Sequence, residues 1–436
     1  MLRRAAISGG NVATDIVANL RAGTGYADIV VIGDSNAGNF DAVGARGYAG
    51  GFYDALDQGL VYEYATAMGE HATASTTYPK HGAAGSTPTY QFSTHTSTAY
   101  GTTWSRNNNG TTDRISTLDS IWKPKHLKID GVAKDFSYLE STALQAYSSV
   151  WMKLNHNAST IRAISVRDAL TVRFIFATLP HTPNSAQVRT WIYKTAGSVD
   201  VIAAQTQTMY NTGASPVITA IDRTIPADAT RTETQCTFGA NNTTGKGPLA
   251  ALACSAFKVG VPGYAIQIFT NHSGSTSTQI KDALADATGC GTNHIKTYLQ
   301  LLAARQVSAN NGTAPARVLV WLNFGINDGT ANATANYVGN ATAIINQFKA
   351  AWSSLGYSDD TLGFIATVSH PTPTFNPAGA NAAAAASFAS DNRVKFVDIS
   401  TVVANWTPYY SGVTDAHLTQ NGYLTVASEV IARITA

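Results

Sequence analysis

Apolar residues along this chain follow two rhythms, and the change between them divides it. Asp15 to Leu20 has the spacing of a short helix, and the run Asp28-Ile29-Val30-Val31-Ile32 after it is almost continuously apolar and closed by Gly33. A strand covered on both faces need not alternate polar with apolar, so this run predicts a buried strand of a parallel sheet. Gly47 to Leu60 carries Phe52, Leu56 and Leu60 at helical spacing. Much further on the same rhythm returns. Tyr264 to Phe269 is an apolar segment, and Ile280 to Ala285 and His294 to Gln306 read as helices, the second with Ile295, Leu299 and Leu302 on one face. Val318 to Leu322 reads as a strand and Ala331 to Trp352 as a long helix with Ile344, Ile345 and Phe348. Leu362 to Val368 (strand), Ala380 to Ala389 (helix), Val394 to Asp398 (strand) and Tyr423 to Ile434 (helix) complete the series. Strands alternating with helices predict an α/β fold with a mostly parallel sheet.

Between these stretches the pattern differs. Residues 70 to 115 are dense in Thr, Ser, Gly, Tyr and Asn and read as long loops, a length that suits an active-site rim or a substrate-facing surface. From about 150 to 262, Thr171 to Phe176, Val188 to Tyr193, Val217 to Ile221 and Thr230 to Phe238 alternate in the manner of strands. Turn-rich pieces such as Pro183-Asn184-Ser185 separate them, which predicts an antiparallel β-sandwich. The chain is therefore divided into an α/β domain of residues 1–145 and 263–436, and an inserted β-sandwich of residues 146–262.

Polar residues of chemical interest sit where the predicted strands end. Gly33-Asp34-Ser35-Asn36 leaves the first strand, which puts Ser35 at the carboxyl edge of the sheet, where open α/β folds place their chemistry. Asn271-His272-Ser273-Gly274 follows the segment ending at Phe269, Gly325-Ile326-Asn327-Asp328 follows the strand ending at Leu322, and Asp415-Ala416-His417-Leu418 precedes the last helix. Each has a plain structural reading as a helix cap or a turn. Taken together and in this order, Ser35, Gly274, Asn327 and His417 resemble the four sequence blocks of the SGNH/GDSL hydrolase superfamily.

That resemblance covers about residues 25–60 and 262–436. It implies a three-layer α/β/α, flavodoxin-like core with the antiparallel β-sandwich inserted. It also implies hydrolysis of a carboxylic ester through an acyl-enzyme. Ser35 is then the nucleophile, which needs a base to take its proton, and His417 is that base. Ser35, Gly274 and Asn327 supply the oxyanion hole: two backbone N–H groups and a side-chain amide. Asp415 is the expected orienter of His417. It lies two residues before the histidine, whereas the family acid lies three before, a place held here by Thr414. A main-chain carbonyl in that role, leaving a dyad, stays open. The first block departs too, with Asn36 where leucine is usual. Asp34, Asn36 and His370, the last at the exit of the strand ending at Val368, are candidate substrate-binding residues.

Some bacterial peptidoglycan O-acetylesterases of the superfamily are similar in carrying a carbohydrate-module-like β-domain at a comparable place. The expected substrate is thus an acylated glycan, with acetyl as the expected acyl group. A lipid esterase or thioesterase, and a glycan-binding virion or surface protein with a vestigial site, are the alternatives. The chemistry calls for no metal and no organic cofactor.

Composition narrows the partners. Among 436 residues only 13% are charged and the net charge is +2, with no basic patch of the kind nucleic acid requires. Cys236, Cys254 and Cys290 show no metal-ligand spacing. No stretch is long and apolar enough to span a membrane. After Arg3 and Arg4 only Ala5-Ala6-Ile7 is apolar, too short for a signal-peptide core. A surface rich in Ala, Ser, Thr, Asn and Gly then favours an extracellular or virion-surface location.

Overall fold

A computed structural model describes residues 10–38, 47–48, 51–52, 55, 263–270, 276–285, 294–412 and 416–436, and, between them, 65–68, 89–95, 105–106, 113–114, 122–129, 132–141, 149–156, 170–178, 185–193, 201–210, 217–225, 232–238 and 249–260. The chain divides into two compact units. One comprises Met1–Tyr62, Pro262–Asp286 and Asn293–Ala436, the other Glu63–Val261 and Ala287–Thr292.

The first unit is built on five parallel strands: β1 (Tyr26–Gly33), β2 (Gly263–Thr270), β3 (Val318–Phe324), β4 (Leu362–Val368) and β5 (Val394–Phe396). Their order across the sheet is β2-β1-β3-β4-β5. Every residue of β1, β3 and β4 is buried, which is why these segments read as unbroken apolar runs. Asn323 and Thr367 are buried polar members of β3 and β4, and Asp28 is the one charged residue of the three strands. It lies at 0% exposure in β1, and Gln306 Nε2 donates to its Oδ2 at 2.6 Å.

Helices flank this sheet: α1 (Val12–Arg21), α2 (Ser35–Gly38), α3 (Ser277–Ala285), α4 (His294–Ala309), α5 (Gly329–Ser354), α6 (Ala378–Phe388) and α7 (Gln420–Thr435). Asn11 starts α1 by accepting from the N–H groups of Ala13 and Thr14, and Val12, Ala13, Ile16, Val17 and Leu20 form its buried stripe. That stripe packs against α7, β4 and β5. α5 buries Ala333, Tyr337, Ala341, Ile344, Ile345, Phe348 and Trp352, and gathers α3, α4 and α6 around it. Each large side chain so buried contributes roughly 1.5–3 kcal/mol.

Strand order positions the site. The chain begins in the sheet at β1, moves outward to β2, then returns to the other side of β1 as β3. The two connections leave β1 and β3 in opposite directions, which opens a crevice at their carboxyl ends. Ser35 follows β1 and Asn327 follows β3, so both lie at that crevice.

In the second unit the strands are antiparallel. One sheet has the order Val201–Tyr210, Ser185–Tyr193, Thr232–Phe238, Ser149–His156, Thr89–His95. Another runs Val217–Ile225, Leu170–Thr178, Leu249–Lys258, Val132–Ser141, Trp122–Ile129, with Ala65–Met68 also paired to Leu249–Lys258. The strands depart from the sequence expectation in two ways. Thr89–His95 falls in the stretch read as loop, yet it is a strand paired with Ser149–His156; its surplus of Thr and Ser hid the alternation of Tyr90 and Phe92. Val201–Tyr210 and Leu249–Lys258 are strands that the sequence reading did not pick out. Its extent, Glu63–Val261 with Ala287–Thr292, takes in Trp122–Ile129 and Val132–Ser141, which pair with each other, the second also with Leu249–Lys258.

Candidate active site

Ser35 stands at the first position of α2, directly off β1, and is 4% exposed. Gly33 makes that exit possible: a Cβ there would lie 2.3 Å from the carbonyl oxygen of Asn323 on the neighbouring strand. Ala37 N–H donates to the Asp34 carbonyl at 3.0 Å and closes the turn around Ser35. His417, distant in sequence and 8% exposed, reaches this turn, and its Nε2 lies 2.8 Å from Ser35 Oγ. That is a hydrogen bond of the length a base needs to take a hydroxyl proton.

The His417 loop is fixed along its backbone. Ser411 N–H donates to the His417 carbonyl at 2.9 Å, Thr419 N–H to the Tyr409 carbonyl at 2.7 Å, and Tyr410 bridges to Leu418. The Tyr410 hydroxyl donates in turn to the Pro371 carbonyl at 2.9 Å, which ties the loop to the exit of β4.

Asn327 lies in a single 3₁₀ turn, Ile326–Asp328, entered through Gly325 at φ 124°, a conformation open to glycine. It is exposed, and its Nδ2 donates to Asp34 Oδ2 at 3.1 Å. Since a carboxylate only accepts, this bond sets the amide with its N–H₂ toward Asp34 and its oxygen away. The other carboxyl oxygen of Asp34 accepts from the backbone N–H of Asn36 at 2.9 Å and from Asn36 Nδ2 at 3.3 Å. Burial pushes the Asp34 carboxyl up from 3.8 to about 6; the Asn36 donors pull against this, and the charge of Asp328 adds to it.

Asp328, next to Asn327, holds the start of α3. Its carboxylate accepts from Ser277 N–H at 3.1 and 3.2 Å and from Ser277 Oγ at 3.0 Å. Asn340 of α5 completes the cluster by donating to Ser277 Oγ at 2.7 Å. Burial raises the Asp328 carboxyl, and the Ser277 donors lower it. Gly274 and Asp415 lie outside the described residues.

Asp34, Asn36 and His370, the candidate substrate-binding residues, are 0%, 1% and 0% exposed and hydrogen-bond to protein groups. His370 Nδ1 pairs with the Tyr48 hydroxyl at 2.7 Å, and its ring stacks on Trp406 at 5.6 Å. Burial, with His417 adding repulsion, depresses its imidazole from 6.5 to about 3, so it is neutral and Tyr48 donates to it. Among the described residues its Nε2 finds no hydrogen-bond partner. Tyr48, Tyr423 and Asp328 carry site contacts that sequence reasoning passed over. In sequence the two tyrosines read only as parts of helical segments, and Asp328 reads as a turn residue. The one available signal was the adjacency of Asp328 to Asn327. No group of three His, Cys, Asp or Glu among the described residues is placed to hold a metal, and no described helix is long and apolar enough to cross a membrane.

No family model matches the sequence, and no curated protein matches it. Among solved structures, a family two carbohydrate esterase from Cellvibrio japonicus is 10% identical over 73% of this chain and 95% of its own, with a TM-score of 0.24. An inhibitor-bound aryl esterase of M. smegmatis is 16% identical over 39% of this chain and 78% of its own, also at 0.24. A family 35 carbohydrate binding module from Clostridium thermocellum is 12% identical over 32% of this chain and 88% of its own, at 0.20. TM-scores this low carry no weight in assigning the site, whose meaning rests on its own geometry.

Proposed function

We propose that this protein is a serine ester hydrolase of the SGNH type that removes acyl groups, chiefly acetyl, from a glycan. One observation carries the reading: the 2.8 Å pairing of Ser35 Oγ with His417 Nε2, at the carboxyl edge of a parallel sheet where its strand order reverses. Ser35 Oγ attacks the ester carbonyl while His417 takes its proton. The oxyanion that forms is held by the backbone N–H groups of Ser35 and Gly274 and by the Asn327 amide. Collapse expels the sugar hydroxyl, which leaves with the proton from His417, and a water activated by the same imidazole releases the acid from acyl-Ser35. Asp415 or a main-chain carbonyl orients His417. The core is assigned as a three-layer, flavodoxin-like α/β/α domain, and the intervening antiparallel strands as a β-sandwich that engages carbohydrate. Its place between the first and second blocks, together with the polar composition, supports a glycan over a lipid ester. Location outside the cell or on a virion fits the same composition.

A fluorophosphonate probe tests the chemistry and acetate release tests the substrate. Wild type is expected to take the probe on Ser35, with S35A unlabelled and H417A labelled far more slowly. Acetate should appear from acetylated xylan, peptidoglycan or sialoglycan. Preference for long-chain over short-chain nitrophenyl esters would favour a lipid esterase. A wild type inert to every ester and to the probe, with S35A binding glycan normally, would identify a binding protein.

A further inference from the structure

Asn36 departs from the leucine usual in the first block, and the departure has a structural use. Its Oδ1 accepts from the Tyr423 hydroxyl at 2.7 Å, and its Nδ2 donates to Asp34 Oδ1 at 3.3 Å. The Tyr423 hydroxyl also accepts from the backbone N–H of Leu418, the residue after His417, at 3.2 Å. At the other end, Asp34 Oδ2 accepts from Asn327 Nδ2 at 3.1 Å. An unbroken hydrogen-bonded path thus runs from Leu418 through Tyr423, Asn36 and Asp34 to Asn327. Tyr423, Asn36 and Asp34 are all at 0–1% exposure, so water does not substitute for these bonds.

The residue type matters. A short amide accepts from a phenol through one atom while it donates to a carboxylate through the other. Leucine does neither, and aspartate would set a second negative charge against Asp34. Tyr423 is itself held, its ring meeting that of Tyr48 edge-on at 5.0 Å. We propose that Asn36 is a positioning residue that locks the His417 loop in register with the Ser35 turn and the Asn327 amide. This rests on the Ser35–His417 reading of the site.

A purely structural asparagine and a positioning one differ in pH behaviour. Two Asn36 donors pull the Asp34 carboxyl down against its burial, the backbone N–H first and the side-chain amide after it, and N36L removes only the second. The titratable groups around Asp34 are Asp328 from the turn after β3, Tyr48 from the helical residues after α2, and Tyr423 from α7; His417 and His370 lie beside them.

The test measures kcat, KM and pH profile on p-nitrophenyl acetate for wild type, N36L, Y423F and the double variant, with fluorophosphonate labelling of Ser35 alongside. For N36L, kcat is expected to fall about tenfold or more (about 1.4 kcal/mol per tenfold), with KM within about twofold. Its acid limb should move to higher pH, because Asp34, whose carboxylate holds the Asn327 amide, loses its side-chain donor. Y423F should lower kcat similarly while the acid limb stays, since the Asp34 contacts survive. The double variant should be no slower than N36L, because both changes break one path. If N36L does not fold, Y423F decides alone: a wild-type kcat for it overturns the proposal. Unchanged kcat in N36L, or losses that multiply in the double variant, overturn it too. A wild type that takes neither ester nor probe removes the functional reading and this proposal with it. One that takes both, with variants equally active, removes only this proposal.

Discussion

Asp34→Asn probes the most exceptional charge in the site. The carboxylate is wholly buried, and burial lifts it from 3.8 to about 6. Between those values the unfolded chain has released the proton and the folded one still holds it, so the folded state binds more protons. Stability therefore falls as pH rises through this window and is flat above it. Each pH unit corresponds to about 1.4 kcal/mol, so the handicap above about pH 6 is about 3 kcal/mol, and it vanishes below about 3.8. Asparagine keeps the shape and one acceptor oxygen but no charge. Its amide nitrogen would oppose Asn327 Nδ2 or the Asn36 N–H, a mismatch of about 1–3 kcal/mol that does not vary with pH. The stability of wild type minus that of D34N should thus drop by about 3 kcal/mol from pH 3 to pH 7. Urea unfolding of both proteins at several pH values measures this. The difference is needed because His370 works the other way. Its imidazole is depressed from 6.5 to about 3, so its contribution is present above about 6.5 and lost as pH falls. That slope is common to both proteins and cancels. A difference that is constant with pH, or that grows, would refute the reasoning.

Three other outcomes are expected. Asn327→Ala should lower kcat about 10²–10³-fold with KM little changed, as loss of one oxyanion donor does; steady-state kinetics on a nitrophenyl ester decides it. Asp415→Asn should cost less activity than His417→Ala, and equal losses would argue for a full triad. Replacing His370 by phenylalanine should flatten the acid side of the stability profile between about pH 6.5 and 3, read from urea midpoints, because a buried imidazole that resists protonation in the fold accepts it on unfolding.

Some of this architecture was legible in the sequence because it depends on neighbours along the chain. The uninterrupted apolar run of β1 demanded cover on both faces, and all eight of its residues are buried. Helical spacing in α1, α4 and α5 marked the faces that pack, and Ser35 and Asn327 were placed at strand exits by local pattern alone. Where alternation was diluted by Thr and Ser, as in Thr89–His95, the strand became visible only through its partner.

The tertiary structure decided what the polar groups do. Ser35 meets His417 across 382 positions, Asn36 meets Tyr423 across 387, Tyr48 meets His370 across 322, and Asp328 meets Ser277 across 51. A hydrogen bond has a reach of about 3 Å and a direction. Hydrophobic burial, by contrast, scales with area and leaves a periodic trace that can be read without knowing the partner. Apolar patterning therefore announces elements in advance, while the partner of Asn36 or Asp34 exists only once strand order has brought distant segments to one crevice.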